Sequence, residues 1–124
     1  MATRLKTSKR TQEIFEKIYK STHLQPFTLA KLAMALSIKS KMLKSEDFNT
    51  DHEGLDLNRQ TIMSAYDELF KCLIEKKENR KLSDDEFFPK YVKAHIDRGT
   101  ILLDREFRYG NDFYYQLLTS DDNI

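Results

Sequence analysis

Residues 1–38 constrain the fold most, because their pattern changes once from the period of a strand to the period of a helix. Thr3-Arg4-Leu5-Lys6-Thr7 alternates apolar or small residues with basic ones, which is typical of a short strand with one buried face. Ser8 can cap the helix that follows, since its hydroxyl can accept from free N–H groups of the first turn. Pro26 suits the first position of a second amphipathic helix, which we expect to end near Ile38.

This order of strand, helix, short turn and helix is that of the ribbon–helix–helix unit. A strand this short needs a partner, and we expect the partner strand to come from a second copy of the chain. Two such strands form a ribbon that can enter a major groove or lie along phosphates. The pattern therefore predicts a ribbon–helix–helix-like N-terminal unit in a homo-oligomer, for which we expect a tetramer of strand-paired dimers.

A third helix is predicted after a polar loop over residues 39–57. Asn58 can cap this helix, and the charged run Glu75–Lys81 marks its end. Its apolar stripe consists of Ile62, Tyr66, Leu69, Phe70, Leu73 and Ile74.

A fourth helix is predicted from Pro89 to Arg98. Ser83 and Glu86 have the spacing of a capping box, but a proline beyond the first turn interrupts a helix. We therefore expect one turn after Ser83 and a new helix from Pro89. Gly99 suits a C-terminal cap, and residues 100–103 can form a short strand or an extended segment.

Composition supports a single mainly α domain over residues 1–124. Glycine and proline are scarce, at three and two residues, and 40% of the chain is hydrophobic. We divide it into a basic ribbon–helix–helix-like part, residues 1–44, two further helices, and an acidic and aromatic tail, residues 104–124. No apolar run is long enough to cross a bilayer, the start lacks a secretory pattern, and one cysteine suits a reducing compartment. We expect a cytoplasmic protein without membrane contact.

The charge is distributed very unevenly along the chain. Residues 1–44 hold ten Lys and Arg against two Asp and Glu, a formal charge of +8. The remaining residues hold eleven against eighteen, a charge of −7. A basic half of this kind is suited to a polyanion, and lysine outnumbers arginine, which favours phosphate contact over base-specific reading. The candidate DNA-binding residues are Arg4, Lys6, Lys9, Arg10, Lys17, Lys20, Lys31, Lys39 and Lys41, with Lys44 at the end of the basic part.

Few residues suggest catalysis or metal binding. Cys72 lies beside the stripe of the third helix, where we expect a partly buried packing residue. Asp51-His52-Glu53 falls in a loop, and His95 and Asp97 point to different helical faces, so neither group has metal-site spacing. For His95 or Arg98 we expect a structural role, such as a helix-end hydrogen bond. The sequence predicts no catalytic residue, cofactor or metal, and a protein that is not an enzyme.

Three stretches carry a resemblance to a known family. The first is Arg4-Leu5-Lys6-Thr7-Ser8 with the two helices that follow, and the second is Asp56-Leu57-Asn58-Arg59-Gln60-Thr61. The third, Lys93-Ala94-His95-Ile96-Asp97-Arg98-Gly99, is similar to a segment of the form AHINRG, with Asp97 in place of the asparagine. Together they cover residues 4–103 and resemble the DndE family of DNA sulfur-modification proteins.

The resemblance implies a DNA-binding subunit of the bacterial phosphorothioation machinery. In that family a cysteine desulfurase, a sulfurtransferase and an ATPase act together to replace a phosphate oxygen by sulfur, and this subunit is a small helical oligomer associated with DNA, including nicked duplex. The basic N-terminal residues are then the expected DNA contacts. Residues 95–99 are expected to be structural or to lie at an interface.

Three other functions are compatible with the sequence. A free-standing ribbon–helix–helix repressor would share the N-terminal unit and would discriminate strongly among intact duplexes. A sulfur-relay enzyme would use Cys72. An assembly adaptor would dock partners through the acidic half and would have no DNA affinity at moderate salt.

Overall fold

The fold is described by a computed structural model that covers residues 2–121, with the side chains of residues 2–108. Short 3-10 turns lie at Ser45–Phe48 and Ser64–Tyr66, and a π-helical segment, Phe87–Val92, leads into the last helix. The strands and α-helices of the described residues, in chain order, are β1 (Arg4–Lys6), α1 (Lys9–Thr22), α2 (Pro26–Lys39), β2 (Asp56–Asn58), α3 (Arg59–Met63), α4 (Asp67–Glu78), α5 (Asp84–Glu86) and α6 (Lys93–Asp121). The expected mainly α fold with an N-terminal strand and two helices is confirmed.

The N-terminal strand is paired within its own chain. β1 lies antiparallel to β2, with Leu5 opposite Leu57, and both leucines are buried. Beyond the strands, the Thr7 N–H donates to the Leu55 carbonyl at 2.8 Å and the Arg59 N–H to the Thr3 carbonyl at 2.8 Å. The expected partner strand from a second copy was wrong, because β2, which lies far from β1 in the sequence, supplies the partner within the same chain.

The contact between α2 and α6 is the centre of the core. Gly99 packs against the backbone of Ala33, where an added Cβ would lie 1.7 Å from the carbonyl oxygen. Gly99 therefore permits a close helix crossing and does not cap a helix, and residues 100–103 continue α6, so both expectations were wrong. A glycine in the sequence suits both a helix cap and a close contact between helices, and only the position of the neighbouring helix shows which of these roles it has.

The predicted third helix is divided into two. Ser64 adopts φ 50° and ψ −130°, which ends α3 before a 3-10 turn leads into α4. Asn58 caps α3 as expected, since its side chain accepts from the N–H groups of Gln60 and Thr61. Of the predicted stripe, Ile62 and Ile74 are buried, whereas Tyr66, Leu69 and Leu73 are exposed.

The region before α6 follows the expected capping box. Ser83 and Glu86 exchange side-chain and backbone hydrogen bonds at the single turn of α5. Pro89 then lies in the π-helical segment, whose wider turn accommodates a residue without an N–H group. Helical structure thus runs on through α6 to Asp121, so most of the predicted tail is helical, while residues 122–124 lie outside the described part.

The Asp56–Thr61 stretch brings α3, α4 and α5 together through a buried arginine. Arg59 donates through Nε and Nη2 to the two carboxylate oxygens of Asp67, each at 2.8 Å. Its Nη1 donates to Asp84 at 3.1 Å and to the Ala2 carbonyl at 2.9 Å. Asp67 and Asp84 thereby raise the pKa of Arg59, which stays charged between them.

Candidate nucleic-acid interface

The basic residues of β1 point to solvent. Leu5 faces the core, so Arg4 and Lys6 on either side of it are exposed. Arg4 Nε donates to an Asp56 carboxylate oxygen across the two strands at 2.9 Å. Lys6 has no such ion pair within the described residues. The strand therefore presents at least one cation that no carboxylate of the described chain neutralises.

The outer side of α1 carries four exposed basic residues and the exposed carboxylates of Glu13 and Glu16. Arg10 and Lys20 lie there without an ion pair in the described residues, Lys9 Nζ is 3.3 Å from the Gln12 amide oxygen, and Lys17 pairs with Asp104. The opposite side of the helix is buried against the core by Thr11, Ile14, Phe15 and Ile18. Because one side of α1 is buried against the core, the basic side chains on the other side point to solvent.

The remaining candidates lie on α2 and just beyond it. Lys39 and Lys41 are exposed, whereas Lys31 is half-buried, with its Nζ 5.9 Å from the centroid of the Phe27 ring. All nine candidate DNA-binding residues thus reach the surface, eight of them on β1, α1 and α2 and the ninth, Lys41, just after α2. None is enclosed in the core.

Asp97 fixes the start of α1. Its Oδ1 accepts from the Ser8 N–H at 3.0 Å and from the Thr11 hydroxyl at 2.8 Å. Its Oδ2 accepts from Thr50 Oγ1 at 2.6 Å and from Lys93 Nζ at 2.7 Å. Since both members of the Lys93–Asp97 pair are buried, this network positions α1 and its cations from within α6. The pair was not identified from the sequence, although its spacing of four residues on a helix was a possible signal.

A second carboxylate, that of Asp51, lies at the same helix end. Asp51 Oδ1 accepts from the Lys9 N–H at 2.8 Å and from the Glu53 N–H at 3.0 Å. These backbone hydrogen bonds lower the pKa of Asp51, with a smaller contribution from the charge of Lys93. Asp51 therefore remains charged and satisfies a free N–H group of α1.

Arg98 holds the other end of the basic segment by capping α2. Its Nη2 donates to the carbonyls of Ser37 at 2.8 Å and Lys41 at 2.6 Å, and its Nη1 donates to the Met42 carbonyl at 3.1 Å. Ser37 lies in the last turn of α2, and Lys41 and Met42 follow the helix, so Arg98 joins the helix end to the loop after it, where a cation also favours the helix dipole. The expected helix-end role of Arg98 is confirmed, although the helix it caps is α2 and not its own.

His95 is buried beside Arg98 and is held neutral. The Ser37 hydroxyl accepts from Arg98 Nε at 2.9 Å and is hydrogen-bonded to His95 Nδ1 at 2.8 Å. Burial, with the charges of Arg98 and Lys77, lowers the pKa of His95 to about 3. His95 Nε2 lies 4.0 Å from Glu78 Oε1, without a hydrogen-bond partner in the described part of the chain. Its role is structural, as expected.

Cys72 is exposed on α4, so the expectation of a partly buried packing residue was wrong. The break at Ser64 orients α4 so that only part of the predicted stripe reaches the core, and the side of Cys72 faces solvent. Glu75, Lys76 and Arg80 lie around it in a shallow depression. Among residues 2–121 there is no group of three or more His, Cys, Asp or Glu side chains that could hold a metal ion. None of the described helices is long and apolar enough to cross a membrane.

The fold and the surface define a small helical protein in which a strand–helix–helix unit presents basic side chains to solvent. The model of the DndE family, "DNA sulphur modification protein DndE", matches residues 4–110, and the chain belongs to that family. None of the curated proteins compared with the chain matches it.

Solved structures share the fold. The crystal structure of DndE from Escherichia coli B7A, described as involved in DNA phosphorothioation modification, is 22% identical with a TM-score of 0.67, over 83% of this chain and 97% of that one. A DndE mutant with two glycine-to-lysine substitutions, described as involved in DNA phosphorothioation, is 21% identical with a TM-score of 0.64, over 83% and 98% of the two chains.

Proposed function

We propose that this protein is a DNA-binding subunit of the bacterial DNA phosphorothioate modification system. It contacts the DNA backbone, in intact or nicked duplex, with the basic residues of β1, α1 and α2. Partner subunits, a sulfurtransferase and an ATPase among them, carry out the sulfur transfer. Membership of the DndE family supports the system, and the exposed cations support the contact.

The observation that carries the proposal is the outer side of α1. Arg10 and Lys20 have no carboxylate partner among the described residues, and the buried side of the helix fixes their direction. Lysine and arginine that are free of internal ion pairs can replace the counterions of DNA phosphates. Lysine is a point charge and carries little base information, so we expect weak sequence preference.

The proposed role is that of a binding subunit and not of an enzyme. The buried polar clusters around Asp97 and His95 hold helices together, and their side chains are enclosed. The exposed thiol of Cys72 is the one observation that favours a sulfur-relay role instead. Cells that carry Cys72→Ser should keep normal DNA phosphorothioation under our proposal, whereas loss of modification would favour the relay.

The test is a titration of intact and nicked duplexes of several unrelated sequences at three salt concentrations. Lys6→Gln/Lys20→Gln removes two candidate contacts, and Lys76→Gln/Lys81→Gln, which removes two exposed lysines outside the basic set, is the matched control. We expect the first variant to weaken binding to all sequences alike and to reduce the salt slope by about one for each phosphate that is no longer neutralised. The control should bind like the unmodified protein.

The same titration separates the alternatives. A strong preference for one intact sequence would make the protein a repressor of the ribbon–helix–helix kind. Absence of binding to every duplex at moderate salt would reject the DNA contact and leave an assembly adaptor. Equal weakening in the two lysine variants would show that net charge, and not the basic set, carries the binding.

A further inference from the structure

A cavity of about 400 Å³ opens beside Tyr19, between α1 and the first turn of α2. Its walls are mostly apolar and include the Tyr19 ring, Pro26 and Leu55. Lys20, Gln25 and the carboxylate of Glu16 add polar groups to the lining. The volume lies within the usual range of small-ligand sites, which are apolar with a few polar groups that fix orientation.

Exposed aromatic rings lie on both of the helices that border this cavity, Tyr19 on α1 and Phe27 on α2. Tyr19 is 41% exposed and Phe27 is 38% exposed, although both are large hydrophobic residues. The His23 ring meets the Tyr19 ring edge-on, with centroids 5.8 Å apart, which fixes one side of the tyrosine. Grouped exposed apolar side chains on a surface indicate a binding site more often than isolated ones do.

The charge around the rings indicates which occupant is suited to them. Lys20 and Glu16 lie at the cavity and Lys31 lies over Phe27, and the segment that holds all three has a formal charge of +8. Single-stranded nucleic acid is bound by this combination, in which bases stack on aromatic rings and cations follow the phosphates. An apolar protein segment would leave these lysines without a partner.

We propose that this cavity receives an unpaired base of DNA. The base lies against the Tyr19 ring, the Gln25 amide contacts its edge, and Lys20 contacts the adjacent phosphate. The Gln25 side chain makes no capping hydrogen bond at the start of α2, so its amide is available. A base inside a duplex cannot enter such a cavity, so the site would select DNA in which a base has left the stack. This inference rests on the proposed DNA-binding function and adds the kind of DNA that is preferred.

The experiment compares three DNAs of the same sequence: a fully paired duplex, the duplex with one extra thymidine in a bulge, and the same bulge with an abasic site. The abasic bulge keeps the phosphate and the bend but lacks the base. We expect the thymidine bulge to bind between about five- and a hundredfold more tightly than the abasic bulge, as for bases that stack on aromatic rings.

Three variants locate the effect. Tyr19→Ala should abolish the preference for the base while leaving affinity for the paired duplex within about twofold, because the lysines remain. Tyr19→Phe keeps the ring and should keep the preference. Tyr66→Ala, which removes another exposed tyrosine outside this region, should also keep it. The oligomeric state of each variant is measured in parallel by light scattering.

The other outcomes overturn the inference in distinguishable ways. Equal binding of the two bulges, with salt-dependent duplex binding intact, would reject the base site and leave the proposed function standing. Absence of binding to all three DNAs would reject both. A smaller oligomer with Tyr19→Ala, and an unchanged ratio between the bulges, would assign the cavity to a second copy of the chain.

Discussion

At the residue scale, the buried side chains of α6 organise the surface more than the exposed residues do. Asp97 accepts four hydrogen bonds, from Ser8, Thr11, Thr50 and Lys93, and so joins the start of α1 to the loop before β2 and to α6. Each of these partners lies far from Asp97 in sequence except Lys93. This is why the sequence indicates that residues 95–99 are structural but does not show what they hold.

Replacement of Asp97 by alanine should destabilise the protein strongly. Asp97→Ala leaves the Lys93 ammonium buried without its carboxylate, which we expect to lower the free energy of unfolding by about 3–5 kcal/mol. Asp97→Asn keeps one acceptor oxygen and should cost less. Urea unfolding followed by circular dichroism measures both. Asp56→Ala, which removes the exposed pair with Arg4, is the control and should cost no more than about 1 kcal/mol.

His95 should make the stability fall at acid pH. The unfolded chain binds a proton at this ring below about pH 6.5, whereas the folded protein, with a His95 pKa of about 3, does not. The unfolded state therefore binds more protons between these values, and the free energy of unfolding falls as pH is lowered through that window.

The measurement is urea unfolding between pH 7.5 and pH 5, comparing the unmodified protein with His95→Asn. The variant has a neutral side chain, so its stability should depend less on pH, by up to about 1.4 kcal/mol per pH unit. Identical slopes would show that folding does not shift the pKa of His95.

At the element scale, local signals were sufficient for the helices that begin with a cap. Ser8 caps α1, Pro26 begins α2 and Asn58 caps α3, and all three were predicted because a cap acts within one turn. The break at Ser64 and the strand β2 were not predicted, because each depends on residues far away in the chain. The basic residues of the candidate interface could also be predicted, because they lie close together in the sequence. The hydrogen-bond network of Asp97 that positions them could not, because it joins residues that are far apart in the sequence.

Gly99→Ala should show how closely α2 and α6 approach. The new Cβ would meet the Ala33 backbone, which has no flexible atoms to move aside, so the helices must separate. We expect the free energy of unfolding to fall by about 3 kcal/mol, although alanine is the better helix former by about 1 kcal/mol. Glu106→Ala, at an exposed position of the same helix, should change stability by less than about 0.5 kcal/mol. If Gly99→Ala had the same free energy of unfolding as Glu106→Ala, α2 and α6 would not approach as closely at Gly99 as described.

At the scale of the whole molecule, charge is separated between two parts that share one core. The basic part consists of β1, α1 and α2, and α6 from the acidic part packs against both helices. The separation of charge could be predicted by counting the charged residues in each part of the sequence, which requires no structure. It could not predict that the two parts are interleaved, because this follows from the pairing of β1 with β2 and of α2 with α6.

Lysine footprinting should map the DNA-contact surface across the whole molecule. In the presence of duplex DNA we expect slower acetylation of Lys6, Lys20 and Lys39, because an ammonium held at a phosphate is shielded from the reagent. Lys76 and Lys81 are exposed elsewhere and should react at the same rate with and without DNA. Mass spectrometry of the digested protein gives both sets in one experiment. Protection of the second set instead would place the DNA on the acidic part.

The close crossing at Gly99 also limits how such a chain can be recombined in evolution or by design. A boundary placed between residues 44 and 56 separates β1 from β2 and α2 from α6, although the charge changes sign there. A fragment of residues 1–44 would carry every candidate cation of the basic part but not the glycine against which Ala33 packs. The basic part is therefore not a transferable module, and it can be exchanged between relatives only together with the α6 that fits it.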